Sequence, residues 1–350
     1  MLYPIILSGG IGTRLWPVSS QKNPKQFQKF FNDQTLLQNT YRRILSGFDK
    51  KNVFVVGKLE ARDYIKSQID IASGNIITEP QTKGTAMAIG LAALKISQLS
   101  PQTNVVIVNS DHFIKDEKKY IKLLKDSEKI LDEKYPDKFI LAGIKPTYPE
   151  TGYGYIKVGK KLGNDLFLVD SFKEKPDYST AEQYIKEGFL WNPAIFLFKA
   201  KNLLAWYDQY LPETFRALTA ISKDWSPANL TNQYSKVDNI SIDYGLLEKM
   251  SDMLLIKTDI DWADIGSWRS LRDILSDNKK TNISNVKNVT IDSHNNLFYA
   301  SSGKLIATIG VEDMVLVETE DVIFLCPAER AQDVKNLLVD IKKQNLDKYL

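Results

Sequence analysis

The sequence predicts an α/β protein with a doubly wound, mostly parallel sheet and a small β-rich C-terminal domain. Strand-like and helix-like segments alternate regularly as far as residue 144, the pattern of successive βα units. The first strand, "LYPIIL" (2–7), is apolar throughout, as a parallel strand covered on both faces must be. After residue 285 the alternation gives way to short β-rich runs with almost no helix between them.

In order, "TLLQNTYRRILS" (35–46) has helical periodicity, with Thr35 available as N-cap. "NVFVVG" (52–57) reads as a strand and "ARDYIKSQI" (61–69) as a helix. "NIITEP" (75–80) leads into "GTAMAIGLAALKIS" (84–97), a helix whose small residues permit close packing. "TNVVIVNSDH" (103–112) is β-branched and bounded by polar residues, a strong strand signal. A charged helix (116–134) and the strand "KFILAGI" (138–144) complete the series. Then "GYGYIKVG" (152–159) and "LFLVDSFKEKP" (166–176) look like a two-strand insertion, and "GFLWNPAIFLFKA" (188–200) like one or two further strands. Helices are expected at 179–187, 201–211, 243–250 and within 262–276. The polar, aperiodic stretch 277–285 is expected to link a large α/β domain (1–280) to the tail domain (286–350). The tail's short strands, near 286–292, 297–301, 304–309, 313–318 and 321–326, suit a compact β-solenoid or a barrel-like cap, closed by a helix from 329 to about 345.

Composition narrows the function. A net charge of +3 gives no argument for nucleic acid or a membrane as partner, so neither is expected. One cysteine, Cys326, excludes an intramolecular disulfide and any cysteine-based zinc cluster, and in "VIFLCPAE" it reads as a small buried hydrophobe. Two histidines, His112 and His294, leave little scope for histidine-rich metal sites. The start "MLYPIILSGG" lacks the basic residues and long apolar run of a signal peptide, and no stretch is apolar enough for a membrane span, so a cytoplasmic location is expected.

The residues after the first strand carry the chemistry: "LSGGIGTRLWPVSSQKNPKQF" (7–27). A glycine-rich turn at that place lets backbone N–H groups approach an anion. It does not fit the phosphate loop G-x-x-x-x-G-K-[ST], and in the dinucleotide fingerprint the third glycine position is Leu15. What remains is a loop with its own cations. Arg14 can clamp phosphate oxygens bidentately and Lys25 can add a mobile point charge. A solvated turn with two surface cations is the plainer alternative.

This stretch resembles the signature of the sugar-nucleotide pyrophosphorylases (nucleotidyltransferases), in particular the mannose-1-phosphate guanylyltransferase branch. "EPQTKGTAMAIG", "SDHFI", "ETGYGYIKVG", "FKEKP", "WNPAIFLF", "SIDYGLLEK", "DWADIGSW" and the tail segment "DMVLVETEDVIFLC" resemble that branch in the same order along nearly the whole chain. The resemblance implies a Rossmann-like, GT-A-like nucleotidyltransferase fold. It also implies an enzyme that joins a sugar 1-phosphate, mannose 1-phosphate by preference, to GTP and releases pyrophosphate, assisted by Mg²⁺ or Mn²⁺.

By the same resemblance Arg14, Lys25 and Lys175 are the catalytic cations. Leu7, Gly9, Gly10, Gly12, Thr13, Thr85, Gly154, Glu174 and Asn192 bind the substrates, and Asp111 and Asp264 hold the metal. Each has a simpler reading. Asp111 equally suits a helix-capping or turn aspartate, Asp264 an N-cap for a helix starting near Gly266, and the glycines of 151–155 a tight hairpin. His112 is expected to pack or hydrogen-bond beside the site. Glu174 and Lys175 are adjacent, so on a continuous strand they would point to opposite faces, unless Pro176 marks the strand's end.

The sequence departs from the family at Pro193-Ala194, where Ser-Gly is usual, at Lys83-Gly84 and Met87, and at Ser20, where an arginine is usual. The first departure opens the alternative of glucose or a heptose as the sugar, the second of another nucleotide. A non-catalytic regulator that binds a sugar nucleotide is the alternative of a different class. The tail helix carries Ala331, Val334, Leu337, Leu338 and Ile341 on one stripe, which covers either its own strands or a second subunit in a homodimer.

Overall fold

The strand–helix alternation is present from the N-terminus onward. In the computed structural model, residues 1–10, 12–20, 22–100, 102–276, 278 and 280–350 are described. Asp277 and Lys279 of the expected linker lie outside them. By internal contacts the chain forms two compact units that are not sequential halves. The first comprises residues 1–9, 40–110 and 114–262, the second 10–39, 111–113 and 263–350.

The first unit is built on a ten-stranded sheet. Its parallel side runs Ile76–Glu79, Phe54–Lys58, Leu2–Ser8, Asn104–Asn109, each strand paired parallel with the next. Phe196–Lys199 then pairs antiparallel with Asn104–Asn109 on one edge and with Ile140–Ile144 on the other. Beyond lie Leu190–Asn192, Gly154–Lys161, Leu166–Glu174 and Leu254–Thr258, and the last of these also pairs parallel with Ile140–Ile144. The helix Gly84–Leu99 lies in the core, and a Cβ on Gly90 would come within 2.7 Å of both Tyr207 and Leu218. Its small residues thus admit the helices Ala200–Tyr210 and Pro212–Lys223 at close range. The second of those helices, the helix Pro227–Ser235 and the strand Leu254–Thr258 are not anticipated by the sequence reading. The helix expected over 243–250 is present as a single turn of π-helix, Asp243–Leu247, closed by Glu248 N–H donating to the Asp243 carbonyl at 3.0 Å.

In the second unit the tail takes the solenoid alternative. Ile283–Ser284, Leu297–Ala300 and Met314–Glu318 stack in parallel, as do Asn288–Ile291 and Ile306–Ile309, and Ile323–Pro327 adds an antiparallel edge. Buried Asn296 secures the stack. Its amide donates to Asn282 Oδ1 (2.9 Å) and the Val311 carbonyl (2.8 Å), and accepts from Met314 N–H (2.8 Å). Ala331 and Val334 of the tail helix stripe are buried against these strands with Leu338 and Ile341 packed beside them, whereas Leu337 is exposed. Leu15, Trp16 and Phe30 of the glycine-loop segment lie in the same hydrophobic core as Val315, Val317 and Phe324. Trp16 Nε1 donates to the Tyr349 carbonyl (2.7 Å), and Trp268 Nε1 to the Trp16 carbonyl (2.8 Å). Among the described residues no helix is long and apolar enough to cross a membrane.

Candidate active site

The candidate residues form two clusters, one in each unit. The cationic cluster, in the second unit, starts from the glycine loop. Gly12 has φ +73°, and a Cβ there would meet the Lys25 stem at 2.6–2.7 Å; Gly10 would touch Lys25 Cε only at 3.9 Å. Glycine at position 12 therefore serves two needs, the left-handed backbone and room for the lysine. Thr13–Leu15 forms a single tight turn that carries Arg14. Arg14 Nε is buried and has no hydrogen-bond partner among the described residues, a costly state for a charged donor unless a ligand supplies the acceptor.

Lys25 Nζ lies 2.5 Å from Asp111 Oδ2 and 3.8 Å from Asp264 Oδ1, and donates to the Ile265 carbonyl at 3.4 Å. Burial works against its charge, but Asp111 and Asp264 outweigh it, so the ammonium is held above its usual pKa. The converse holds for Asp111: burial favours the neutral acid, yet Lys25 and His112 hold the carboxyl below its usual range. Ligand atoms of Asp111, His112 and Asp264 all lie within 4.8 Å of one another. The paired strands His112–Ile114 and Trp262–Asp264, with Ile265 N–H donating to the Asp111 carbonyl (3.4 Å), bring the two aspartates together. Neither caps a helix. The cap of Trp268–Leu275 is Ser267, in a capping box with Ser270, and that of Glu117–Glu133 is Asp116. Asp111 does sit in a turn, as the plainer reading allowed, but its carboxylate is engaged by Lys25.

The second cluster lies in the first unit. Gly154 is in register with Glu174 on one neighbouring strand and with Asn192 on the other. A Cβ at Gly154 would lie 2.6 Å from Glu174 Oε2, so glycine there leaves room for the carboxylate. The strand does end at Glu174, since Lys175 takes φ +48°. The two neighbours thereby reach one place, and Lys175 Nζ is paired with Glu174 Oε1. Burial, then Asp243, pushes the Glu174 carboxyl up to about 7, against the pull of Lys175. Asn192 donates to Asp243 Oδ1 (3.2 Å) and accepts from Ala194 N–H (3.0 Å). Ala194 adopts φ +50°, the left-handed conformation that suits the glycine usual there, so the departure keeps the backbone path at some strain.

Leu7 and Gly9 close the first strand at the carboxyl edge of the sheet, with the Leu7 carbonyl accepting Ser110 N–H (3.0 Å) and Gly9 open on all sides. Thr85 Oγ1 accepts Ile242 N–H at 2.9 Å. Lys83 Nζ caps the Val237 carbonyl (2.7 Å), and Ser20 Oγ accepts from Asn23 N–H (3.2 Å), closing a local turn. The sequence reading assigned no role to Asp243 or Glu248. Glu248 Oε1 accepts Glu174 N–H at 3.0 Å, and the stretch "SIDYGLLEK" that holds both was the available signal.

The nucleotidyl transferase family profile matches residues 3–281, and the profile of the MannoseP isomerase/GMP-like beta-helix domain matches residues 286–340. Mannose-1-phosphate guanylyltransferase of Klebsiella pneumoniae is 32% identical across 100% of this chain and 76% of its own length. Xanthan biosynthesis protein XanB of Xanthomonas campestris is 33% identical across 97% of this chain and 73% of its own. The crystal structure described as mannose-1-phosphate geranyltransferase from Thermus thermophilus superposes with a TM-score of 0.88 at 27% identity, covering 97% of this chain and 99% of that one. With one profile over most of its length and relatives of this identity along the whole of it, the chain belongs to the nucleotidyl transferase family.

Proposed function

We propose that the chain joins mannose 1-phosphate to GTP, giving GDP-mannose and pyrophosphate. The observation that carries this reading is the buried, unpartnered Arg14 Nε on a glycine loop shared with the Lys25–Asp111–Asp264 cluster. That is a donor set suited to a polyphosphate. A sugar-phosphate oxygen attacks the α-phosphorus, a new P–O bond forms, and the bond to the bridging oxygen of the pyrophosphate breaks. The attacking phosphate is largely ionised at neutral pH, so no general base is required. Arg14, Lys25 and the amides of Gly10, Gly12 and Thr13 stabilise the charge that gathers on the departing pyrophosphate. Lys175 binds the sugar phosphate, while Glu174 and Asn192 take sugar hydroxyls over Gly154. Leu7, Gly9 and Thr85 line the nucleotide.

Asp111 and Asp264 fit a hard divalent cation such as Mg²⁺ or Mn²⁺: both offer carboxylate oxygens, and the pair already shares one cationic group, Lys25. The ion, when bound, adds positive charge along the phosphate chain. A cytoplasmic location and a GTP preference accompany this reading. Mannose is favoured over another sugar because Ala194 retains the left-handed turn and its hydrogen bond to Asn192.

The test is pyrophosphate release with Mg²⁺, crossing GTP, ATP, UTP and dTTP against mannose 1-phosphate and glucose 1-phosphate. Release confined to GTP with mannose 1-phosphate is expected. Release with a different pair refutes the specificity, and silence across the grid together with tight sugar-nucleotide binding makes the chain a regulator instead.

A further inference from the structure

Asp243 lies at the end of a strap, residues 237–243, that is fastened along the turn at 83–86. Lys83 Nζ donates to the Val237 carbonyl (2.7 Å), and Ile240 N–H to the Lys83 carbonyl (3.3 Å). Ala86 N–H donates to the Ile240 carbonyl (3.3 Å), and Ile242 N–H to Thr85 Oγ1 (2.9 Å). Gly84, at φ +77°, is pressed so close that a Cβ would lie 2.1 Å from the Ile240 oxygen. At its far end the strap delivers one carboxylate, and Asp243 Oδ1 accepts the amide N–H of Asn192 at 3.2 Å. Since Asn192 Oδ1 is already taken by Ala194 N–H, both ends of the amide are set and its second N–H has one direction left. The Asp243 charge also acts on Lys175, and the turn that Asp243 begins ends at Glu248, which holds the Glu174 backbone.

We propose that Asp243 is a positioning residue for the sugar phosphate, and that the strap 237–243 makes the placement of Asn192 and Lys175 depend on the turn at 83–86. This rests on the nucleotidyltransferase reading above, in which that turn borders the nucleotide. A sugar pocket preset in this way is tightened or loosened by whatever shifts the Gly84–Thr85 turn. The coupling is made of discrete hydrogen bonds, and the two that use side chains, those of Lys83 Nζ and Thr85 Oγ1, are each removable by one substitution.

The experiment uses the full chain with GTP and mannose 1-phosphate. Asp243→Ala should raise KM for mannose 1-phosphate by roughly 10-fold or more, the worth of a hydrogen bond to a charged group, with KM for GTP nearly unchanged. Asp243→Asn retains an acceptor for Asn192 and should recover part of that loss. Thr85→Val should raise KM for mannose 1-phosphate as well, and Thr85→Ser should restore it. If Thr85→Val alters only KM for GTP, or if Asp243→Ala lowers kcat with both KM values intact, the proposal is overturned. A second readout requires no turnover. The side-chain amide resonance of Asn192 in a ¹⁵N spectrum should move in Thr85→Val, and an unmoved resonance in a folded variant refutes the strap. Should the unsubstituted chain release no pyrophosphate with any pair, the functional reading fails, while the resonance still decides the inference.

Discussion

Two glycines share almost the same backbone angle and differ only in what surrounds them, which allows the contact to be weighed separately from the backbone. Gly84 has φ +77° and Gly188 φ +80°. A Cβ on Gly188 would meet nothing within 4 Å. Gly188→Ala should therefore cost only the left-handed backbone term, about 1–2 kcal/mol, less a few tenths regained from the stiffer unfolded chain. A Cβ on Gly84 would lie 2.1, 2.5 and 2.9 Å from the Ile240 oxygen, carbon and nitrogen, all backbone atoms that cannot swing aside. Gly84→Ala must push the strap off, losing the two 3.3 Å hydrogen bonds that Ile240 makes with Lys83 and Ala86. At about 0.5–1.5 kcal/mol per bond, with about 1–3 kcal/mol of overpacking and the same backbone term of about 1–2 kcal/mol, the total becomes about 3–8 kcal/mol. Urea unfolding followed by tryptophan fluorescence, on both variants side by side, measures the difference directly. A gap of about 2–6 kcal/mol is expected, with weaker mannose 1-phosphate binding in the Gly84 variant alone. Equal losses in the two variants would mean that the strap yields freely and that the close approach constrains nothing.

Other perturbations test the charged groups and the loop. Lys25→Met should lower turnover by about 10²–10³. It should also change how stability responds to acid. In the native chain the depressed Asp111 pKa contributes stability that is full above 3.8 and lost only as pH falls below it, whereas without Lys25 burial favours the neutral acid and acid should stabilise, readable as melting temperatures at pH 3, 5 and 8. Asp264→Asn should abolish Mg²⁺-dependent turnover far more than GTP affinity, and equal losses of both would contradict a metal role. Glu79, 5% exposed, has its carboxyl pushed by burial from an ordinary 4.5 up to about 7, although Tyr234 and Lys58 favour the charged form. A raised carboxyl pKa makes stability decline as pH rises from 4.5 to 7, by about 3 kcal/mol at most. Glu79→Gln should therefore flatten that slope and be the more stable protein at pH 8. Trp268→Phe removes the 2.8 Å bond to the Trp16 carbonyl and should lower kcat with a modest loss of about 1–2 kcal/mol in stability, seen by kinetics and melting together.

Much of this was legible in the sequence because it depends on local pattern. The alternation to residue 144 and the glycine loop with its two cations follow from periodicity and turn chemistry. What escaped depends on partners distant in sequence. Pro212 and Pro227 at helix starts were available signals that went unused, and only the second is followed by weak periodicity. Asp243 lies 51 residues from the Asn192 it orients, and no spacing rule connects the two. The uncertainty over neighbouring Glu174 and Lys175 could be settled only by the backbone, which ends the strand between them. At the Pro193-Ala194 departure Ala194 takes a left-handed backbone, the conformation that glycine accepts most readily, which no sequence pattern showed.

The hydrogen bond from Trp16 to the Tyr349 carbonyl spans 333 residues of chain. During synthesis, Leu15 and Trp16 leave the ribosome long before Val315, Phe324 and Val334, the neighbours that bury them. The turn carrying Arg14 therefore lacks part of its supporting core until the residues around Tyr349 have been translated. A ribosome that stops at the polar stretch near residue 280 releases nearly all the residues named in the chemistry, but with the glycine loop resting on only the part of its core that Phe30, Leu36, Ile265, Trp268 and Leu271 provide. The order of synthesis thus makes the tail the element that completes a core begun by the glycine loop.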